Sequence, residues 1–123
     1  LKGTVCMKIS TMRELLDANV LCCEENVGRH VYSACGCDLM SDVLAYVKDQ
    51  AVLLTGLVNS QVIRTAEMMD MICIVFVRSK MPNEEMLELA RDAGIVIMAT
   101  DKRMYEACGL LYANGLVGNK VRK

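Results

Sequence analysis

Ala51-Val52-Leu53-Leu54-Thr55-Gly56, Ile72-Cys73-Ile74-Val75-Phe76-Val77 and Ile95-Val96-Ile97-Met98-Ala99 decide the fold. Each is a near-continuous apolar run ending close to a turn residue. A segment of helical period separates each run from the next. Between the first two, Val62, Ile63, Ala66 and Met69 recur three and four residues apart. That spacing predicts a helix over 60–70, capped by Asn59 or Ser60. Between the second and third, Met86, Leu87, Leu89 and Ala90 form the inner stripe of a helix over 83–93. Pro82 is tolerated just ahead of it, and Gly94 supplies a left-handed stop. Residues 51–100 therefore read as strand, helix, strand, helix, strand. Strands apolar on both faces imply a parallel sheet covered by helices on both sides.

The flanks extend this pattern. Thr100 or Asp101 is expected to cap a last helix through Met104, Ala107, Cys108, Leu111 and Tyr112, ended by Asn114-Gly115. Upstream, a helix is predicted over 11–18, with Thr11 and Glu14 as a capping box and Asn19 as its end. Val20-Leu21-Cys22-Cys23 reads as a strand, 24–29 as a polar turn, and 30–35 as a second strand. Asp38 is the expected N-cap of a helix over 39–48, whose buried face is Met40, Val43, Leu44 and Val47. The fold class is thus α/β: three layers, a mostly parallel sheet of about five strands, and helices on both faces. One domain is expected over 8–116, with 1–7 and 117–123 as flexible or peripheral ends.

Composition narrows the function. The 123 residues carry a net charge of −1 with no basic stripe, which argues against nucleic acid as a partner. No apolar run reaches membrane-spanning length, and no signal peptide is read ahead of the fold, so the cytoplasm is the expected location. Hydrophobic residues make up 54% of the chain, yet it has one Phe and no Trp. The core must therefore be aliphatic and Met-rich. The apolar excess either completes an unusually well-buried core or covers a partner; we favour a homodimer. Seven cysteines, an odd number set inside strand and helix patterns, oppose a disulfide framework and suit a reducing compartment.

Right-handed crossovers place every strand-to-helix turn on one edge of the sheet, where ligands of open α/β sheets bind. The turns expected there are Cys35-Gly36-Cys37, 55–59, Arg78-Ser79-Lys80 and Thr100-Asp101-Lys102. Hydroxyls, a glycine and cations near helix N-termini suit a phosphate or another small anion. The candidate ligand-binding residues are Thr55, Gly56, Asn59, Arg78, Lys80 and Thr100. The same residues also serve as ordinary caps and solvated turns, and both readings stand at this point.

Leu54-Thr55-Gly56-Leu57-Val58-Asn59-Ser60-Gln61-Val62-Ile63-Arg64-Thr65-Ala66-Glu67-Met68 resembles the DRTGG domain family. The likeness continues through Ile74-Val75-Phe76-Val77-Arg78, Pro82-Asn83-Glu84-Glu85-Met86, Gly94-Ile95 and Met104-Tyr105-Glu106-Ala107-Cys108-Gly109. It spans residues 8 to 116. The family's Asp-Arg-Thr stretch is replaced here by Leu57-Val58-Asn59, and its Thr-Gly-Gly stretch by Val77-Arg78-Ser79. Only Thr55 and Gly56 carry over. The resemblance implies a fold similar to the N-terminal domain of HPr kinase/phosphorylase. It also implies a stand-alone regulatory or dimer-forming module rather than a catalyst.

The remaining chemistry is sparse. The phosphate-loop string of kinases is absent, and Gly115-Leu116-Val117-Gly118-Asn119-Lys120 has the wrong spacing. His30 has no nucleophile beside it in sequence. Glu84, Glu85 and Glu88 form a solvated face, with Glu88 and Arg91 as a three-residue pair. The sharpest alternative is a metal- or redox-linked accessory protein. In it, Cys22 and Cys23 meet Cys35 and Cys37 around a metal, or Cys35 or Cys37 is a reactive thiol at a helix mouth. The primary expectation is a non-catalytic regulatory or interaction module with no cofactor. It would be homodimeric and bind a small anion or nucleotide at the strand C-terminal edge, with no nucleic acid and no membrane as partners.

Overall fold

A computed structural model describes residues 6–46 and 50–117. Strand β1 (Met7–Lys8) leads directly into α1 (Ile9–Leu16), followed by β2 (Asn19–Cys22) and a 3-10 turn at Glu24–Asn26. Then come β3 (His30–Val31), β4 (Ser33–Gly36), α2 (Met40–Tyr46), β5 (Ala51–Thr55) and α3 (Ser60–Met68). The chain continues through β6 (Cys73–Phe76), α4 (Glu84–Ala93), β7 (Val96–Ala99) and α5 (Met104–Ala113). The main sheet has five strands in the order β2-β7-β6-β5-β4. β4, β5, β6 and β7 are parallel, and β2 runs antiparallel along the β7 edge. β1 and β3 pair separately as a short antiparallel ribbon.

Every residue of β5, β6 and β7 is buried, as their unbroken apolar sequences require. α1 and α5 contact each other, and α5 packs on β5. α4 packs on β2 and β7 and against α3, which in turn meets α2. The helices thus sandwich the sheet. The inner residues include Ile9, Met12, Leu16, Ile63, Met86 and Leu111, around the one Phe, Phe76. Among the described residues, no buried side-chain nitrogen or oxygen lacks a hydrogen-bond partner.

One N-cap, at Asn59, follows the sequence reading, and Asn83, expected as the first residue of its helix, is instead the cap ahead of α4. Asn59 Oδ1 accepts the Val62 N–H at 3.2 Å, and Asn83 Oδ1 accepts the Met86 N–H at 2.9 Å. Gly94 closes α4 with φ 73°, the left-handed stop expected of it.

Several boundaries differ from expectation, each for a tertiary reason. α1 begins at Ile9, not Thr11, and uses no capping box. The ribbon sets its entry, and the 27–29 backbone satisfies its first donors: Ile9 N–H to the Arg29 carbonyl and Ser10 N–H to that of Val27, each 2.9 Å. It stops at Asp17 in a left-handed conformation (φ 51°), so Asn19 opens β2 instead of ending the helix. The strand expected over 30–35 breaks at Tyr32, whose N–H turns to the Gln50 carbonyl at 2.9 Å. Met7, expected in a peripheral end, is buried and pairs with Val31. Met40 starts α2; Val47 and Lys48, expected in that helix, and the tail 118–123 lie outside the described residues. α5 starts at Met104 without a side-chain cap, and Tyr112 points outward. Arg91 pairs with Glu84 at 3.3 Å rather than with Glu88.

Phe76→Ala should lower stability by about 3–5 kcal/mol, because it leaves a large cavity where a fully buried side chain stood. Met68→Ala, on the exposed side of α3, should change it by less than about 0.5 kcal/mol. Urea unfolding followed by circular dichroism measures both.

Candidate functional site

Parallel pairing brings the carboxyl ends of β4, β5, β6 and β7 to one rim, so the four predicted turns are neighbours. Thr55 ends β5 and is fully buried. Its hydroxyl donates to Asp38 Oδ1 at 2.9 Å and accepts the Leu57 N–H at 3.1 Å. The same Asp38 oxygen accepts the Gly56 N–H at 2.8 Å. Asp38 was expected to cap α2. Instead its carboxylate reaches across to the turn after β5 and ties the first two turns together, while Leu39 occupies the residue ahead of α2.

Thr100 repeats the device at the end of β7. It is buried, donates to the Leu16 carbonyl at 2.7 Å and accepts the Lys102 N–H at 3.2 Å. In both places a buried hydroxyl fixes the amide two residues on. The turn after β6 is joined to the turn after β7 by three bonds. Arg78 N–H donates to the Lys102 carbonyl at 2.8 Å, Ser79 N–H to the Thr100 carbonyl at 3.0 Å, and Ser79 Oγ to Asp101 Oδ1 at 2.7 Å. Arg78 and Ser79 are both left-handed, with φ 59° and 61°. Such conformations are held by surrounding bonds, and these bonds hold them.

The Arg78 side chain folds back over the next turn. A Cβ added to Gly56 would collide with its guanidinium, so glycine here permits the close approach. Lys80, two residues on in the same turn, is exposed. Among the described residues the ion pairs are Arg13–Glu24, Arg91–Glu84 and Lys102–Glu106. Arg78 and Lys80 have no carboxylate partner in that set. Of the six predicted residues, Thr55, Thr100 and Asn59 are engaged in holding turns and a helix end, and the Gly56 N–H serves Asp38. Arg78 and Lys80 alone present charge outward. Sequence reasoning passed over Asp38 as an anchor, Ser79 and Asp101. Their partners lie 17 and 22 residues away, and no local pattern marks them.

The four cysteines proposed for a metal do not gather. β2 and β4 are opposite edges of the sheet. β2 also runs the other way, so Cys22 lies beside Ile97 while Cys35 and Cys37 stand at the rim. Among the described residues no three metal-binding side chains cluster. Cys22 and Cys23 sulfurs turn to the Ile95 and Ala90 carbonyls at 3.5 and 3.8 Å. Cys35 is no activated thiol either. Burial, reinforced by Cys37 and Cys108, pushes its pKa up to about 11. Burial and then the neighbouring Cys22 likewise raise Cys23 to about 11. Cys37 Sγ accepts the Leu39 N–H at 3.3 Å and donates to the Leu39 carbonyl at 3.4 Å. His30 sits half-buried in β3, away from the rim.

No protein-family model matches the chain, and no curated protein is significantly similar to it. Among solved structures it is similar to the CBS and DRTGG domains of the regulatory region of a pyrophosphatase from Clostridium perfringens. That structure is complexed with its activator, diadenosine tetraphosphate. The TM-score is 0.70 at 14% identity, over 89% of this chain and 48% of the other. The chain thus spans about half the length of that neighbour. At this identity the likeness is one of fold, and it agrees with the DRTGG-like α/β architecture.

Removing the Asp38 carboxylate leaves two donors without an acceptor, one of them the buried Thr55 hydroxyl. Asp38→Ala should cost about 1–3 kcal/mol, and Asp38→Asn, which keeps an acceptor, less; urea midpoints at pH 7 report both. The raised thiol values carry a pH consequence. A folded pKa of about 11 for Cys35, against the ordinary thiol value of 9.0 in the unfolded chain, means the folded state holds its proton longer. Its contribution is full below pH 9 and is lost as pH climbs towards 11. Midpoints at pH 8.5 and 10.5 should show this fall, and Cys35→Ala should reduce it.

Proposed function

We propose that this chain is a non-catalytic regulatory or interaction module that reads a small anionic ligand, nucleotides included, at the strand C-terminal rim and acts as a cytoplasmic homodimer. The observation that carries the ligand reading is the contrast within the rim. Its hydroxyls and Asp38 are taken up in tying turns together. Arg78 and Lys80, one of them laid over a glycine backbone, have no carboxylate partner among the described residues. Free cations on a rigid rim suit charge recognition, and a guanidinium suits phosphate or carboxylate by its planar fork. The similar regulatory region, solved with a dinucleotide activator, supports a nucleotide among the candidates.

The outer side of α5 supports self-association. Tyr105 is 91% exposed and Tyr112 is 64% exposed, and with Gly109 they line one face at four- and three-residue spacing. Glu106 is the one charged residue of that helix. A helix apolar nearly all round is a buried helix, and a second copy of the chain is the cover this reading assigns.

Millimolar phosphate and adenine nucleotides should raise the melting temperature by several degrees, and Arg78→Gln with Lys80→Gln should remove the shift. An unchanged melting temperature across these probes contradicts the ligand reading. Light scattering should give twice the chain mass, falling to the monomer in Tyr105→Glu but not in Met68→Lys; a wild-type monomer at 100 μM contradicts the dimer.

A further inference from the structure

We infer that a cleft at the opposite end of the sheet from the rim, where the parallel strands begin, binds a small apolar α-amino acid. This goes beyond the rim reading and shares no residue with it. The cleft has a volume of about 480 Å³, within the roughly 300–1,000 Å³ of whole-ligand pockets. Its charged lining residues are Arg29, Glu67 and Asp70, one guanidinium and two carboxylates. Its apolar lining includes Met71, Ile72 and Ile95, from the segments that lead into β6 and β7. A zwitterion with an apolar side chain presents the complement of that set: an ammonium, a carboxylate and a hydrocarbon.

The position of the cleft follows from the crossovers. α3 and α4 both run back from the rim, so their carboxyl ends lie beside the starts of β6 and β7. Met69, which caps α3, and Ala93, the last residue of α4, both line the cleft. The carboxyl end of a helix carries partial negative charge and favours a cation. α3 has no basic residue in its last turn and carries Glu67 there, with Asp70 just beyond its cap. In α4 the basic residue of the last turn, Arg91, is bonded to Glu84, back towards the other end of the helix. Two carboxylates thus stand where the helix ends already disfavour negative charge. Neither belongs to an ion pair among the described residues. A ligand ammonium relieves that repulsion.

Arg29 supplies the opposite charge. Asn26 Nδ2 donates to the Gly94 carbonyl at 3.2 Å, which holds the turn over 24–29 against the end of α4. Within that turn Arg29 N–H donates to the Asn26 carbonyl at 3.1 Å, and the Arg29 carbonyl accepts the Ile9 N–H at 2.9 Å. The backbone carrying the guanidinium is therefore fixed on both sides. Arg29 too has no ion pair among the described residues. Its planar fork suits the two oxygens of a ligand carboxylate. The starts of β5, β6 and β7 are neighbours in the sheet, so the cleft from Gln50 to Ile95 spans two strand spacings, about 10 Å. That width accommodates one amino acid of medium size.

Isothermal titration calorimetry with L-leucine, isoamylamine and 4-methylpentanoate tests this, since the three share one hydrocarbon and differ in charge. Leucine should bind at least about tenfold more tightly than either of the others, because it alone engages both signs of charge. These wild-type titrations decide the charge pairing without any variant. Arg29→Gln should weaken leucine about tenfold and isoamylamine less than about twofold. Glu67→Gln with Asp70→Asn should weaken leucine and isoamylamine about tenfold and leave 4-methylpentanoate no weaker. All three side chains are exposed, and Asn is tolerated at the left-handed position 70, so these variants keep the fold. Arg78→Gln should leave leucine binding unchanged. Absence of leucine binding at about 10 mM, binding no tighter than that of the amine or the acid alone, or binding unmoved by the Arg29 and Glu67/Asp70 variants overturns the cleft. Phosphate titrated into the same protein reports on the rim, so either reading can fail without the other.

Discussion

The alignment of four strands in one direction is the constraint from which the rest follows. β5 and β6 have a parallel neighbour on each side and helices above and below. Their peptide groups have no water to turn to and pair with one another. Once that ladder forms, four turns must emerge along one edge. The rim is therefore a product of backbone pairing, and its side chains are drawn from segments as far apart in sequence as Asp38 and Asp101.

What sits on the rim is divided between holding and reaching. Thr55 and Thr100 have the same chemistry and the same fate: each is buried at a strand end and fixes the amide two residues on. Asp38 and Asp101 join adjacent turns by accepting from Thr55 and Gly56 and from Ser79. These bonds make the edge stiff. Arg78 is different because its backbone is bonded into the β7 turn while its guanidinium lies over Gly56. A rigid frame with an outward cation suits the charge recognition proposed above, because preorganisation reduces the entropy lost when a ligand is bound.

Burial decides the cysteines. A thiolate is favoured by neighbouring positive charge and disfavoured by removal from water. At Cys35 removal from water is the largest effect, and two nearby thiols add to it. Cys73, in the middle of β6 and wholly buried, is pushed up further by the same cause. These thiols act as small apolar side chains, in keeping with a core whose largest members are mostly aliphatic or Met.

Periodicity by itself determined the α/β class, the order of elements from 51 onward, the cap at Asn59 and the stop at Gly94, because each depends on residues within a few positions of one another. The same local logic predicted which turns share an edge, since crossover handedness is common to all such chains. Only the tertiary structure decided that β2 runs against its neighbour, that α1 starts at Ile9 on the support of the 27–29 backbone, and that Asp38 binds Thr55 instead of capping α2. It also decided that Arg78 covers Gly56 and that Cys22 and Cys35 stand on opposite edges. Each of those outcomes depends on what a distant segment offers, and a carboxylate or a sulfur takes the partner that folding brings to it.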